Sequence, residues 1–175
     1  MRAIDAREAP SSLARMQHDV LAKTAFKPRD PDWDAKVRAS FNRQTFMQTI
    51  GAKLVALAPG HCEVELPFRA DLCQQNGYLH GGLITTIAAN ATGFAAFSLM
   101  PANSSVLGTE YKINLLNPAA GERFIAIGQV LKPGKILSVV ECEILGIQGS
   151  AKKLIAKMLA TMMCLEGVPD EIRNQ

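Results

Sequence analysis

Apolar residues run almost unbroken from position 83 to 100, while the segments on either side alternate between apolar and polar positions. That contrast predicts one buried helix among amphipathic strands. Leu83, Ile84, Ile87, Ala88, Ala91, Phe94, Ala95, Phe97 and Leu99 fall on every side of the helix, and a helix without a polar face belongs inside a protein. The run brushes the lower length limit of a membrane span. Thr85, Thr86, Asn90, Thr92 and Gly93 interrupt it, however, which argues for burial against a sheet. The approach to it, Asn76-Gly77-Tyr78-Leu79-His80-Gly81-Gly82, sets a glycine pair at the first turn. Backbone N–H groups there have no intrahelical partner, and glycine lets another molecule reach them, so the turn suits negative charge.

Upstream, Val37, Phe41, Thr45 and Ile50, with Phe46 and Met47, keep a roughly helical spacing from Asp34, and Gly51 stops it. A single helix is predicted there. Segments 53–58 and 61–68 flank Pro59-Gly60, and Cys62, Val64 and Leu66 alternate with Glu63 and Glu65, as in a hairpin with one wet face. After the long helix, strands are predicted at 106–116, 124–131, 136–145 and 153–164, each bounded by Pro, Gly, Asn or Ser. The expected architecture is α+β: a curved antiparallel sheet, its later strands joined by tight turns, around one long central helix. This domain spans 36–168. Residues 169–175 form a tail. Residues 1–35 form a polar appendage ending in Lys27-Pro28-Arg29-Asp30-Pro31-Asp32, whose prolines forbid a continuous helix. Ser11-Ser12 caps a short helix with Leu13, Met16, Val20 and Leu21 on one side, or the segment is partly disordered, or it packs across a neighbouring subunit.

With 175 residues, 48% of them hydrophobic, the chain suffices for one domain with a real core. Nineteen Lys and Arg against sixteen Asp and Glu leave +3, spread thinly, with one Trp and two Tyr to stack on bases, which speaks against nucleic acid. Cys62, Cys73, Cys142 and Cys164 form no close pair, and three of them take apolar strand positions, so reduced, buried thiols in a cytoplasmic protein are expected. His18, His61 and His80 and the scattered acids show no metal-ligand spacing, and no cofactor, metal or membrane partner is expected.

Three segments in order, Gln74-Gln75-Asn76-Gly77-Tyr78-Leu79-His80-Gly81-Gly82, then the third-strand run from Glu110 to Ala119, then Lys132-Pro133-Gly134-Lys135, make the chain resemble the hotdog fold over about residues 40–165. Within that fold the resemblance is to the phenylacetyl-CoA (PaaI-type) thioesterase family. It implies a homodimer or dimer of dimers, with acyl-CoA held between the helix of one protomer and the sheet of the other. It further implies that the Gly81 N–H serves as oxyanion donor, and that His80 orients the turn or the carbonyl. Gln74 would stand near the attacking water or the carbonyl, with Asn76, Gly82, Thr86 and Ala89 lining the substrate and Lys132 and Lys135 meeting coenzyme A phosphates. The family's pattern has an acidic residue nine positions after the histidine, where this chain has Ala89. Alanine takes no proton. General-base help is worth roughly 10²- to 10⁴-fold and an oxyanion donor about 10²- to 10³-fold, so slow hydrolysis is the expectation. Asn90, on one helix stripe with Thr86 and Gly93, and Glu110, acting across the interface, are the two candidate substitutes.

Each of these residues has a plainer reading. His80 can cap the helix, Asn90 can be a structural polar bridge, Gln74 and Asn76 are ordinary turn residues, Glu110 can be solvated, Lys132 to Lys135 can be only a hairpin turn, and Thr86 can bond back to its own helix. Two functions follow. One is an acyl-CoA thioesterase yielding free acid and coenzyme A; the other is a hotdog protein that binds acyl-CoA without turning it over. A hotdog dehydratase would need an acid that the helix does not offer.

Overall fold

The computed structural model describes residues 26–171; the short helix expected within 11–21 and the end of the tail lie outside the described residues. Helices α1 (Trp33–Arg43) and α2 (Thr45–Ile50) precede strands β1 (Lys53–Ala58) and β2 (His61–Pro67). Helix α3 (Gly81–Phe97) follows, then β3 (Ser104–Leu115), β4 (Arg123–Lys132), β5 (Leu137–Gln148) and β6 (Ala151–Glu166). The six strands form one curved antiparallel sheet in the order β1-β2-β4-β5-β6-β3, against which α3 packs. Period-two alternation sends Cys62, Val64 and Leu66 of β2, Phe124, Ala126 and Val130 of β4, and Val140, Cys142 and Ile144 of β5 into the core. This is the expected hotdog architecture.

Three features depart from the sequence expectations. The single upstream helix is two, because Gln44 takes an extended conformation (φ −76°, ψ 98°) between them. Val37, Ser40 and Phe41 are buried on α1, whereas Met47 and Ile50 are buried on α2. A continuous helix would leave Met47 at the margin of the buried face and turn Ile50 away from it, and the break restores the phase of Ile50. Second, β3 and β4 do not pair through a tight turn: β3 crosses to pair with β6, at the far edge of the sheet. Third, α3 is not covered all round. Its Ile84, Ile87, Ala88 and Ala91 are buried, but Gly82, Thr85, Thr86, Ala89, Asn90 and Gly93 keep some exposure along one strip.

Helix and sheet meet backbone to backbone at Gly128 of β4, where a Cβ would stand 2.4 Å from the Ala91 carbonyl oxygen. Behind the far end of α3, the buried Asp30 carboxylate meets Lys36 Nζ at 3.0 Å. Lys36 also donates to the carbonyls of Met100 and Pro101 and lies 4.6 Å from the Phe97 ring centroid. Burial pushes the Asp30 carboxyl up, but the Lys36 ammonium and the Asp32 N–H outweigh it and hold the group below its usual range. All four cysteines are free thiols, and burial raises Cys62 to about 12. Among the described residues, no helix is long and apolar enough to cross a membrane.

Candidate active site

The turn before α3 is built by its own polar side chains. Gln74 N–H donates to the Tyr78 carbonyl at 2.9 Å, Asn76 N–H donates to Gln74 Oε1 at 2.8 Å, and Gly77 takes the left-handed conformation (φ 81°) that closes the loop. Since Gln74 Oε1 is occupied as an acceptor, its Nε2 is left as the outward donor. His80 is the N-cap of α3: its Nδ1 accepts the Gly82 N–H at 2.9 Å, and its carbonyl accepts the Leu83 N–H at 2.9 Å. With Nδ1 accepting, the neutral ring carries its proton on Nε2. The Gly81 N–H, the first of the helix, has no hydrogen-bond partner among the described residues. It opens on a cleft of about 450 Å³ that Gln74 and Asn76 also line, walled by Ile84, Leu115 and Ile155. Two donors, the Gly81 amide and the Gln74 side chain, therefore share one cleft at the positive end of the helix dipole.

Gly82, Thr86, Ala89 and Asn90 line a different cleft, of about 530 Å³, together with Phe46 and Tyr111. The Thr86 hydroxyl donates back to the Gly82 carbonyl at 2.9 Å, as the plainer reading of that residue has it. Asn90 Nδ2 donates to the Thr86 carbonyl at 3.2 Å, while Asn90 Oδ1 is shut off from solvent and has no donor. Leaving a buried acceptor unpaired costs about 1–3 kcal/mol, so this oxygen calls for a donor from outside the chain's own contacts. Along α3 the rise from Gly81 to Asn90 is about 13 Å, and the two groups do not reach one carbonyl within a single chain.

The remaining candidates lie elsewhere. Glu110 is not at the start of β3, which begins at Ser104; it follows a bulge after Gly108 and pairs with Thr161. Its neighbour Tyr111 pairs with the buried Ala160 on the α3 side, so alternation turns Glu110 to the opposite face of the sheet. Lys135 lines a separate cleft of about 460 Å³ beside Ala96, about 22 Å along α3 from Gly81, and Lys132 is exposed at the end of β4 on the same turn. The basic turn and the Gly81 cleft thus occupy opposite ends of one chain. Phe46 and Tyr111, which face Asn90 across its cleft, were not singled out from sequence; each is half exposed (52% and 53%) although aromatic, a state that only the fold discloses.

A long helix embraced by an antiparallel sheet, with an unpartnered glycine amide at its N-terminus beside a cleft, defines a hotdog protein. The model of the thioesterase superfamily matches residues 76–150. A thioesterase family protein from Silicibacter pomeroyi is 44% identical and superposes with a TM-score of 0.76 over 77% of this chain and 99% of that one. The 1,4-dihydroxy-2-naphthoyl-CoA hydrolase of Listeria monocytogenes is 29% identical over 97 residues, 55% of this chain and 79% of that enzyme. The E. coli PaaI protein of the phenylacetic acid degradation operon shares the fold at 20% identity, with a TM-score of 0.71 over 81% of this chain and 99% of that one. The chain belongs to the thioesterase superfamily, and it is a thioester hydrolase.

Proposed function

We propose that the chain hydrolyses aryl- or short- to medium-chain acyl-CoA thioesters to free acid and coenzyme A, in sites shared by two copies of the chain. The observation that carries this reading is the unpartnered Gly81 N–H beside the Gln74 amide in one cleft. The thioester carbonyl oxygen accepts from both donors, and His80, by holding the Gly82 N–H, keeps the turn in register. The attacking water is oriented by the Asn90 amide of the second chain once a turn of that side chain brings Oδ1, shut off in the single chain, out to the cleft it lines, and the 13 Å separation is then bridged between chains. Water adds to the carbonyl carbon, negative charge develops on the oxygen facing Gly81, and collapse expels the coenzyme A thiolate, which takes up the proton that the water gives to solvent. Asparagine orients water without taking its proton, so turnover is slow.

Pairing of two chains has support in β3. It is an edge strand of twelve residues with no second strand neighbour among the described residues, and it exposes Leu107, Tyr111 and Leu115 (57%). Such an edge is a template for another chain. The naphthoyl-CoA hydrolase among the relatives supports a coenzyme A thioester as substrate.

Thiol release from a panel of acyl-CoA esters tests the reading, with Gly81→Pro against Gly81→Ala as the decisive pair. Proline is at home at the first helical position, and His80 already holds the extended conformation favoured before it (φ −62°, ψ 133°). Both variants place a Cβ 3.1 Å from Leu115 Cδ1, and only proline replaces the N–H with a ring carbon. Gly81→Pro is expected to fall about 10²- to 10³-fold below Gly81→Ala in kcat. A second reading, binding without turnover, is favoured by Ala89, which puts a methyl group where the family has an acid; micromolar binding with no thiol release would establish it.

A further inference from the structure

The turn between β4 and β5 runs Leu131-Lys132-Pro133-Gly134-Lys135-Ile136-Leu137, and its three aliphatic side chains face water. Leu131 is 46% exposed and Leu137 47%; Ile136, at 60%, is the most exposed large hydrophobic side chain among the described residues. Single exposed aliphatics are ordinary on a protein surface, but three within seven residues, interleaved with two lysines, make an amphipathic tip. Lys132 and Lys135 have no ion-pair partner among the described residues. Lys27 and Arg29 add positive charge in the cleft beside Lys135, and no acid lines that cleft. Of the nearby acids, Asp30 is taken by Lys36, and Glu166 stands two residues beyond Cys164 at the end of β6.

The tip is held rigidly. The Ile136 carbonyl accepts the Cys164 N–H at 2.8 Å, the Lys135 carbonyl accepts from Arg29 Nη2 at 3.5 Å, and the Gly134 N–H donates to Ser138 Oγ at 3.3 Å. A Cβ at Gly134 would collide with the Leu137 carbonyl, so the turn closes only with glycine there. Backbone bonds on both sides thus keep Ile136 in water. We infer that this tip docks on an anionic bilayer surface, with Leu131, Ile136 and Leu137 entering the interface and Lys132 and Lys135 meeting lipid phosphates.

Charge selects the occupant. A second copy joined tip to tip would set these cations against their own counterparts, whereas an anionic lipid surface complements them. Burying the exposed half of one aliphatic side chain favours the surface roughly four- to tenfold, and one lysine near anionic lipid does so about fivefold. Three aliphatics and two lysines together reach about 10³- to 10⁴-fold, which gives reversible attachment rather than permanent anchoring. The tip lies about 22 Å along α3 from Gly81, so docking does not cover the Gly81 cleft, and the inference stands apart from the thioester reading.

Co-sedimentation of the full chain with vesicles tests it, comparing phosphatidylcholine alone with three parts phosphatidylcholine to one of phosphatidylserine. The wild type is expected to bind the anionic vesicles about tenfold or more tightly than the neutral ones, and to lose that advantage as salt is raised. Ile136→Asp should weaken binding to the anionic vesicles about tenfold or more, and Lys132→Gln about fivefold. Should Ile136→Asp fail to fold, Leu131→Ser, expected to weaken binding roughly four- to tenfold, takes its place. Equal binding to both vesicles, binding to neither, or a folded Ile136→Asp chain that binds as the wild type does overturns the inference. A loss through Lys132→Gln alone would mark electrostatic attraction without entry of the aliphatics, and overturns it as well. No ester enters the assay, so its outcome is independent of thiol release.

Discussion

At the scale of single residues, the chemistry depends on which backbone and side-chain groups are already occupied. His80 takes up the Gly82 N–H, and Asn76 takes up Gln74 Oε1, so what remains beside the cleft is the Gly81 N–H and the Gln74 amide Nε2. The pattern His80-Gly81-Gly82 ahead of an apolar run pointed to this from sequence, because a histidine cap and an uncapped glycine amide are both local features. The other half of the site was less legible. Asn90 read equally well as a structural bridge, and only the unpaired Oδ1 sets it apart. The position beside it offers a direct measurement. Ala89 lines the same cleft, so Ala89→Asp should supply the missing base and raise thiol release about 10²-fold or more. An unchanged rate would put position 89 out of reach of the carbonyl.

At the scale of elements, the strands and the long helix followed from periodicity to within three residues at each end, since alternation and continuous apolar runs are written into neighbouring positions. The break at Gln44 did not follow. It comes from Met47 and Ile50 being drawn to a core whose position the spacing alone does not reveal. Gly128 is a similar case: in sequence it is a glycine within a strand, and in the fold it is the point where β4 presses on the Ala91 carbonyl. Gly128→Ala is therefore expected to cost about 3 kcal/mol or more, because backbone faces backbone at 2.4 Å and neither side can yield as a side chain would. Chemical denaturation would read this as a lowered midpoint; an unaltered midpoint would mean that α3 and β4 separate freely.

At the scale of the whole molecule, Gly81 and Asn90 of one chain line different clefts, about 13 Å apart along α3, and the proposed site joins them across two chains. A mixed pair gives the sharpest prediction. Gly81→Pro and Asn90→Ala chains, each depleted in activity alone, should regain part of it when co-expressed, because a mixed dimer rebuilds one site free of both changes. No recovery on mixing, with dimers present by sedimentation, would mean that both groups act within one chain.

Element type, the order of elements, the glycine amide at the helix start and the family they indicate were all legible along the chain, since each depends on residues a few positions apart. The crossing of β3 to the sheet edge, the turning of Glu110 away from α3, the separation of the basic turn from Gly81 and the aromatic walls around Asn90 were settled only when distant segments packed. Those outcomes depend on register and burial across the sheet, where a shift of one residue sends a side chain to the opposite face.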